Sequence, residues 1–208
     1  MARRNKYYDL YADPKGWGGR MMLKHMNKGK HADLAKWALR KVAFRKTDSV
    51  LDIGCGGGAN LGRMLKLCPK GQVMGLDHSR LAVKMSLKEN RKAVSNGRCQ
   101  VIQGSVSPLP FWNGNFQVVT AFETIYYWPS LTEAFREVHR VLDDDGKFLI
   151  ANCMDPADEE SIDSAKKVPG MTVHTPGEIE RRLKDAGFRR VRIYRKKRSD
   201  FTAIVASK

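Results

Sequence analysis

Five short apolar runs, each parted from the next by an amphipathic or turn-rich stretch, limit what this chain can fold into more than any other feature. They are "SVLDIG" (49–54), "QVMGLD" (72–77), "CQVIQG" (99–104), "FQVVTAF" (116–122) and "KFLIANC" (147–153). Each is short, mostly apolar and bounded by turn residues, which predicts buried strands. Helical spacing fills the gaps. Asn60–Cys68 places Leu61, Leu65 and Cys68 on one side. Ser79–Val94 starts at a capping serine and sets Leu81, Val83, Met85 and Leu87 among basic residues. Ser130–Leu142 opens on a capping box, Ser130 to Glu133, and repeats Leu131, Ala134, Phe135, Val138, Val141 and Leu142 at threes and fours. The "DDDG" at 143–146 is expected to end that helix in a turn. Thr175 to Glu178, with Pro176 first in the helix, starts another that runs to Gly187.

Strands alternating with helices predict a parallel sheet with helices on both faces. The last two strand-like segments, "FRRVRIYRK" and "DFTAIVAS", have only a short polar turn between them, so they are expected to form an antiparallel hairpin. The fold class is therefore α/β, a Rossmann-like seven-stranded, mostly parallel sheet with an antiparallel C-terminal hairpin. Residues 1–48 read as helical: "GKHADLAKWALRKV" (29–42) carries Leu34, Trp37, Ala38, Leu39 and Val42 on roughly one face. We expect an N-terminal helical cap over 1–48 and a domain over 49–208, folded as a single globular unit.

The 208 residues suit one domain with a real core, and 42% hydrophobic content is that of a globular protein. No apolar run reaches the roughly 18 residues of a membrane span. The opening "MARRNKYYDLYADPKG" has no apolar stretch after its basic residues, so no secretory signal is expected. Cys55, Cys68, Cys99 and Cys153 are scattered with no CxxC pair, which favours a reducing, cytoplasmic setting. His25 and His31 have no acid or cysteine at ligand spacing, so no metal is expected. The net charge of +16 describes either a solvated surface or an anionic partner such as RNA or a phosphorylated or carboxylated substrate.

The chemistry concentrates in "VLDIGCGGGAN" (50–60), where Gly54, Gly56 and Gly58 alternate after an acid. Glycine permits positive φ and lets a ligand come close to the backbone, whose amides can then hydrogen-bond to it. Two ligands compete. Gly54, Gly56 and Ala59 satisfy the G-x-G-x-x-G/A dinucleotide pattern, with Asp77 at the ribose distance. Asp52 also gives D-x-G-x-G-x-G, which suits S-adenosylmethionine. That ligand has no phosphate, and its methionine end carries an ammonium and a carboxylate.

Four stretches in order favour the second ligand: "VLDIGCGGGANLGRML", "VMGLDHSRLAV", "VIQGSVSPLPFWNGNFQVVTAFETIYYW" and "AFREVHRVLDDDGKFLIAN". Together they resemble the class I S-adenosylmethionine-dependent methyltransferases (methyltransferase domain 11-like), small-molecule type, which includes the ubiquinone/menaquinone-biosynthesis methyltransferases. The resemblance covers about residues 45–155 and extends by topology to 208. It implies that Asp52 and Gly54 hold the methionine part of the cofactor, with Cys55 in the same loop and Gly56 letting the backbone pass close. Asp77 would accept both ribose hydroxyls, and His78 would lie along the adenine. Where the family often has Gly-Asp, this chain has Gly104-Ser105, so that adenine contact loses its charge. The backbone of Val106 could still read the adenine edge.

In this fold "FETIYYWPS" (122–130) faces the reacting centre. Glu123, Tyr126 and Tyr127 are the catalytic candidates. Glu123 could also touch the cofactor, and aromatic faces beside a sulfonium or an amine attract its charge. Tyr11, Trp17 and Arg20 of the N-terminal stretch, with Tyr127 and Trp128, are the candidates for substrate binding. The expected activity is in-line methyl transfer to O, N, S or C of a small-molecule acceptor, an anionic one being compatible with the charge. The alternative is an RNA- or protein-directed methyltransferase using the basic surface. Against it, the chain lacks an NPPY-type tetrapeptide after the fourth strand and the paired cysteines of RNA cytosine-C5 enzymes. A monomer or homodimer is expected.

Overall fold

The computed structural model describes residues 10–154 and 156–208. Helices α1 (Gly16–Met26) and α2 (Gly29–Leu39) precede the sheet. Then follow β1 (Ser49–Ile53), α3 (Ala59–Leu67), β2 (Gln72–Asp77), α4 (Arg80–Glu89), α5 (Arg91–Ser95), β3 (Cys99–Gln103) and β4 (Phe116–Phe122). A 3-10 turn over Ile125–Tyr127 leads to α6 (Leu131–Val141), β5 (Leu142–Asn152), α7 (Glu159–Lys167), α8 (Pro176–Asp185), β6 (Arg190–Arg195) and β7 (Thr202–Ser207).

The strand order is β3-β2-β1-β4-β5-β7-β6. β1 to β5 pair in parallel, while β7 runs antiparallel to both β5 and β6. The expected seven strands and terminal hairpin are all present. β1 is buried on both faces because helices cover each side, so it reads as a continuous apolar run and not an alternation. One cluster joins α6 and α8 to the sheet through Phe135, Val138, Leu183 and Phe148. The other joins α2 and α3 to the opposite face through Leu34, Leu39, Leu61 and Met64.

The caps explain where helices start. The Thr175 hydroxyl accepts from the Glu178 amide at 3.1 Å, and the Glu178 carboxylate accepts from the Thr175 amide at 2.8 Å. At α6 the Ser130 hydroxyl accepts from the Glu133 amide at 3.5 Å.

Three local expectations change. The helix expected over 79–94 is two helices, α4 and α5. They part at Asn90, whose amide donates to the carbonyls of Gly58 (2.9 Å) and Ser86 (3.0 Å) and so ties the break to the glycine loop. "DDDG" is not a free turn. α6 stops at Val141 and the chain enters β5 at once, with Leu142 opposite Phe116 and Lys147 opposite Val118. The residues between bulge from the ladder, and Gln117 donates to Asp143 at 3.1 Å across it. Helix α7 had no apolar period to announce it; its start is fixed by Asp158, whose carboxylate accepts from the Ser161 amide at 2.9 Å. No described helix is long and apolar enough to cross a membrane.

Candidate functional site

The strand order reverses between β1 and β4, and in open parallel sheets a ligand crevice forms there, outside the carboxyl ends of the strands. Each parallel strand delivers a residue to that edge: β1 the glycine loop, β2 Asp77, β3 Gly104, β4 Glu123 and β5 Cys153. A cleft of about 260 Å³ lies over the first four, and a cavity of about 660 Å³ adjoins it. Tyr11, Met26, Glu123 and Tyr127 line both, so the two spaces are neighbours.

The glycine loop is tied down before any ligand arrives. The amides of Gly54 and Cys55 donate to the Leu76 carbonyl at 2.7 and 3.2 Å. The Gly56 amide donates to one oxygen of Asp77 and the Ser79 amide to the other, each at 2.9 Å. Gly54 has φ 74°, and a Cβ there would overlap the Thr124 side chain. The loop therefore needs glycine both for its conformation and for the approach of the β4 loop. A carboxylate oxygen carries about two acceptor sites, so Asp77 keeps one per oxygen for a diol. Burial pushes its pKa up, against the pull of its two backbone donors.

Of the residues expected at the cofactor, Gly54, Gly56, Asp77, His78, Gly104, Ser105, Val106 and Glu123 line the cleft. Asp52 does not. It is 1% exposed beneath the loop, where the Thr120 hydroxyl donates to it at 2.6 Å. Burial pushes its pKa up to about 7. Asp52 thus shapes the floor under the glycines. Cys55 does not line the cleft itself: Ser86 donates to its sulfur at 3.6 Å, and it lines a small adjoining pocket with Asn60 and Arg63 that shares Gly54, Gly56 and Glu123 with the cleft.

Of the acceptor-side candidates, Tyr11, Tyr127 and Trp128 reach the cleft. Trp128 also stacks on Phe148, with ring centroids 6.4 Å apart. Trp17 is 78% exposed and Arg20 is exposed, and neither lines the cleft or the cavity. Helix α1 turns its Met22 and Leu23 inward, which directs Trp17 and Met21 to solvent. Tyr126 is 3% exposed and lines the larger cavity. Its hydroxyl donates to Glu123 Oε1 at 3.1 Å. Burial, and then the Glu123 charge, push the phenols of Tyr126 and Tyr127 up, so both stay protonated and can donate but not act as bases.

Glu123 is the pivot. It sits in the left-handed region at φ 58°, which is rare for a residue with a Cβ. Its amide is held by the Ala151 carbonyl at 2.9 Å. Its Oε1 accepts from the Cys153 amide at 2.6 Å, and the Cys153 thiol donates to Oε2 at 2.9 Å. His31 Nδ1 lies 3.5 Å from the same Oε2. Thr124 belongs to the 122–130 stretch expected to face the reacting centre and Met26 to the segment expected to cover it, but His31 and Cys153 carry no signal along the chain, because they belong to separate segments and to no spaced motif. Among the described residues His31, Glu123 and Cys153 form a cluster with ligand atoms within 4.8 Å of one another.

Residues 51–150 match a protein family described as "Methyltransferase domain". A Bacillus subtilis protein named "Putative methyltransferase YrhH" is 31% identical over 110 residues, covering 53% of this chain and 60% of that protein. Demethylmenaquinone methyltransferase of Lactobacillus johnsonii is 28% identical over 118 residues, covering 56% and 48%. The chain thus spans about half the length of these curated relatives. Among solved structures, a Haloferax volcanii methyltransferase in complex with the Trm112 methyltransferase activator aligns over 100% of this chain and 99% of its own. Its TM-score is 0.79 at 20% identity, a likeness of fold.

Proposed function

We propose, from the match of residues 51–150 to the methyltransferase domain family, that the chain transfers a methyl group from S-adenosylmethionine to a small-molecule acceptor. The observation that carries this reading is that the glycine-loop cleft and the 660 Å³ cavity are neighbours that share Glu123 and Tyr127 in their linings. One space suits a nucleoside and the other an acceptor. The name of the Lactobacillus johnsonii relative, a demethylmenaquinone methyltransferase, supports a small molecule.

The lining fits the cofactor by its donor set. Asp77 offers two free acceptor sites for a ribose diol. The Ser105 hydroxyl, the Val106 amide and the His78 ring are available to a purine. The Thr124 hydroxyl is available to the amino-acid end, and the glycines serve it by leaving room, since the Gly54, Cys55 and Gly56 amides already donate to Leu76 and Asp77. When bound, S-adenosylmethionine supplies an electrophilic methyl group on a sulfonium. The faces of Tyr127 and Trp128 attract such a charge by about 0.5–2 kcal/mol. The protein's main task is alignment, since an in-line displacement gains most from holding its reactants in place. Glu123, fixed by two donors on Oε1, directs Oε2 to the acceptor side. Tyr11 and Met26, from the N-terminal segment, line the same space, which supports a covering role for residues 10–48 over the domain of 49–208; residues 1–9 of the expected cap lie outside the described residues.

Calorimetric titration with S-adenosylmethionine and, in parallel, NAD tests the reading. Binding of the first alone is expected; binding of NAD alone would overturn it. A macromolecular acceptor is the second reading, favoured by the +16 charge and by the Haloferax volcanii neighbour's complex with an activator protein. It requires affinity for RNA that falls steeply with salt. Flat, weak binding to a random RNA would remove the nucleic-acid form of it.

A further inference from the structure

His31, Glu123 and Cys153 come from α2 and from the ends of β4 and β5, and they meet on the wall of the 660 Å³ cavity. We infer that they are three ligands of a zinc-type divalent metal site with its fourth position open to that cavity. An imidazole nitrogen, a carboxylate oxygen and a sulfur are the donors zinc takes, and three protein ligands with one open position are the pattern of reactive rather than structural sites. Tetrahedral zinc, with bonds of about 2.0–2.3 Å, spaces such atoms about 3.3–3.6 Å apart. His31 Nδ1 lies 3.5 Å from Glu123 Oε2, and Cys153 Sγ lies 2.9 Å from it. The three ligand atoms lie within 4.8 Å of one another, and a tetrahedral site asks the sulfur to retreat from Oε2 by about half an ångström.

Two further observations support a ligand here. His31 Nδ1 is buried and has no hydrogen-bond partner, although a buried polar nitrogen ordinarily has one. Glu123 is held for ligation: the Cys153 amide and the Tyr126 hydroxyl occupy Oε1 and leave Oε2 turned toward the thiol and the imidazole. Such second partners orient the carboxylates of metal sites. The surrounding charge is compatible with a cation despite the basic chain. Lys30 is paired with Asp200, and Asp158 lines the same cavity along with Lys167.

On the methyl-transfer reading, the open position holds the acceptor's sulfur or oxygen as its anion, the proton leaving to solvent on coordination. That atom forms the new bond to the methyl carbon as the carbon–sulfonium bond breaks, and its electron pair stays on the departing sulfur.

The test uses the full chain, stripped of metal by a chelator and titrated with Zn²⁺ against a chromogenic competitor. One equivalent is expected to bind. His31→Ala and Cys153→Ala should each weaken it by more than about 100-fold, while Tyr126→Phe, an outer partner, costs about 10-fold. Cobalt(II) should give a thiolate charge-transfer band that Cys153→Ala abolishes. Cys153→Ser provides a second, more conservative variant if the alanine form folds poorly. Absence of stoichiometric zinc, or zinc binding that survives both alanine changes, overturns the site. Zinc binding without S-adenosylmethionine binding would fault the methyl-transfer reading and leave the metal site standing.

Discussion

The two halves of the cleft are built by different means. The half over β1, β2 and β3 is made largely of main chain: the loop amides are pinned to the end of β2, and one buried acid, Asp77, joins them. The half over β4 and β5 is made of side chains from distant segments, Met26 and His31 before the sheet, Glu123 and Tyr127 after β4, and Cys153 and Met171 after β5. A contiguous stretch of sequence can specify the first kind of surface. The second kind can diverge in chemistry while the first remains the same.

The contrast can be tested at four points. The largest effect separates the two acids of the first half. Asp52 is buried with a folded pKa of about 7, above its unfolded value, so folding favours its protonated form. Stability should fall as pH rises from about 4 to about 7, by up to about 4 kcal/mol for a shift of some three units, and then level off. Asp52→Asn should flatten that slope while leaving the Thr120 hydrogen bond an acceptor. Thermal melts of both forms at several pH values check this, and an equal slope in the variant would mean Asp52 is not the source.

Next comes Asp77→Ala. Losing two hydrogen bonds to a charged acceptor should cost about 100-fold or more in affinity for S-adenosylmethionine, measured by calorimetry. An unchanged affinity would remove the ribose role.

The seam between the halves is third. Gly54→Ala puts a side chain at φ 74° and against Thr124, and is expected to destabilise the fold by about 1–3 kcal/mol in denaturant titrations. A neutral result would mean that the β4 loop moves away freely.

The smallest effect lies in the second half. Tyr127→Phe removes a hydroxyl 3.7 Å from the Met171 sulfur and should leave cofactor affinity within about twofold, with turnover lowered by about 0.5–1.5 kcal/mol. A larger loss of cofactor affinity than of turnover would erase the division between the halves.

Local patterns made much of the fold legible. Each of the five apolar runs became a parallel strand, the helix-free ending became an antiparallel pair, and a helix starts at Thr175 as read, while the capping box read at Ser130 formed only its Glu133-amide half because the Glu133 carboxylate pairs with Arg136. The departures have tertiary causes. Asn90 breaks a periodic helix because its amide is drawn to the Gly58 carbonyl, and the 143–146 segment joins β5 because Phe116 awaits a partner. At the site, Gly54, Gly56, Asp77 and Gly104 lie in or directly after their strands and were readable. Asp52, two residues from Gly54, was read as a ligand contact. A strand alternates its side chains between faces, and Asp52 turns to Thr120 beneath the loop.

Alone, the sequence determined the sheet, its winding and the glycine loop, because short-range periodicity and backbone conformation are properties of neighbouring residues. Tertiary structure decided which side of the sheet each acid serves, that Trp17 faces solvent, and that His31, Glu123 and Cys153 share one point. Those outcomes depend on where three segments far apart in sequence cross the same strand ends. Such crossings follow from how the helices pack, which spacing along the chain does not encode.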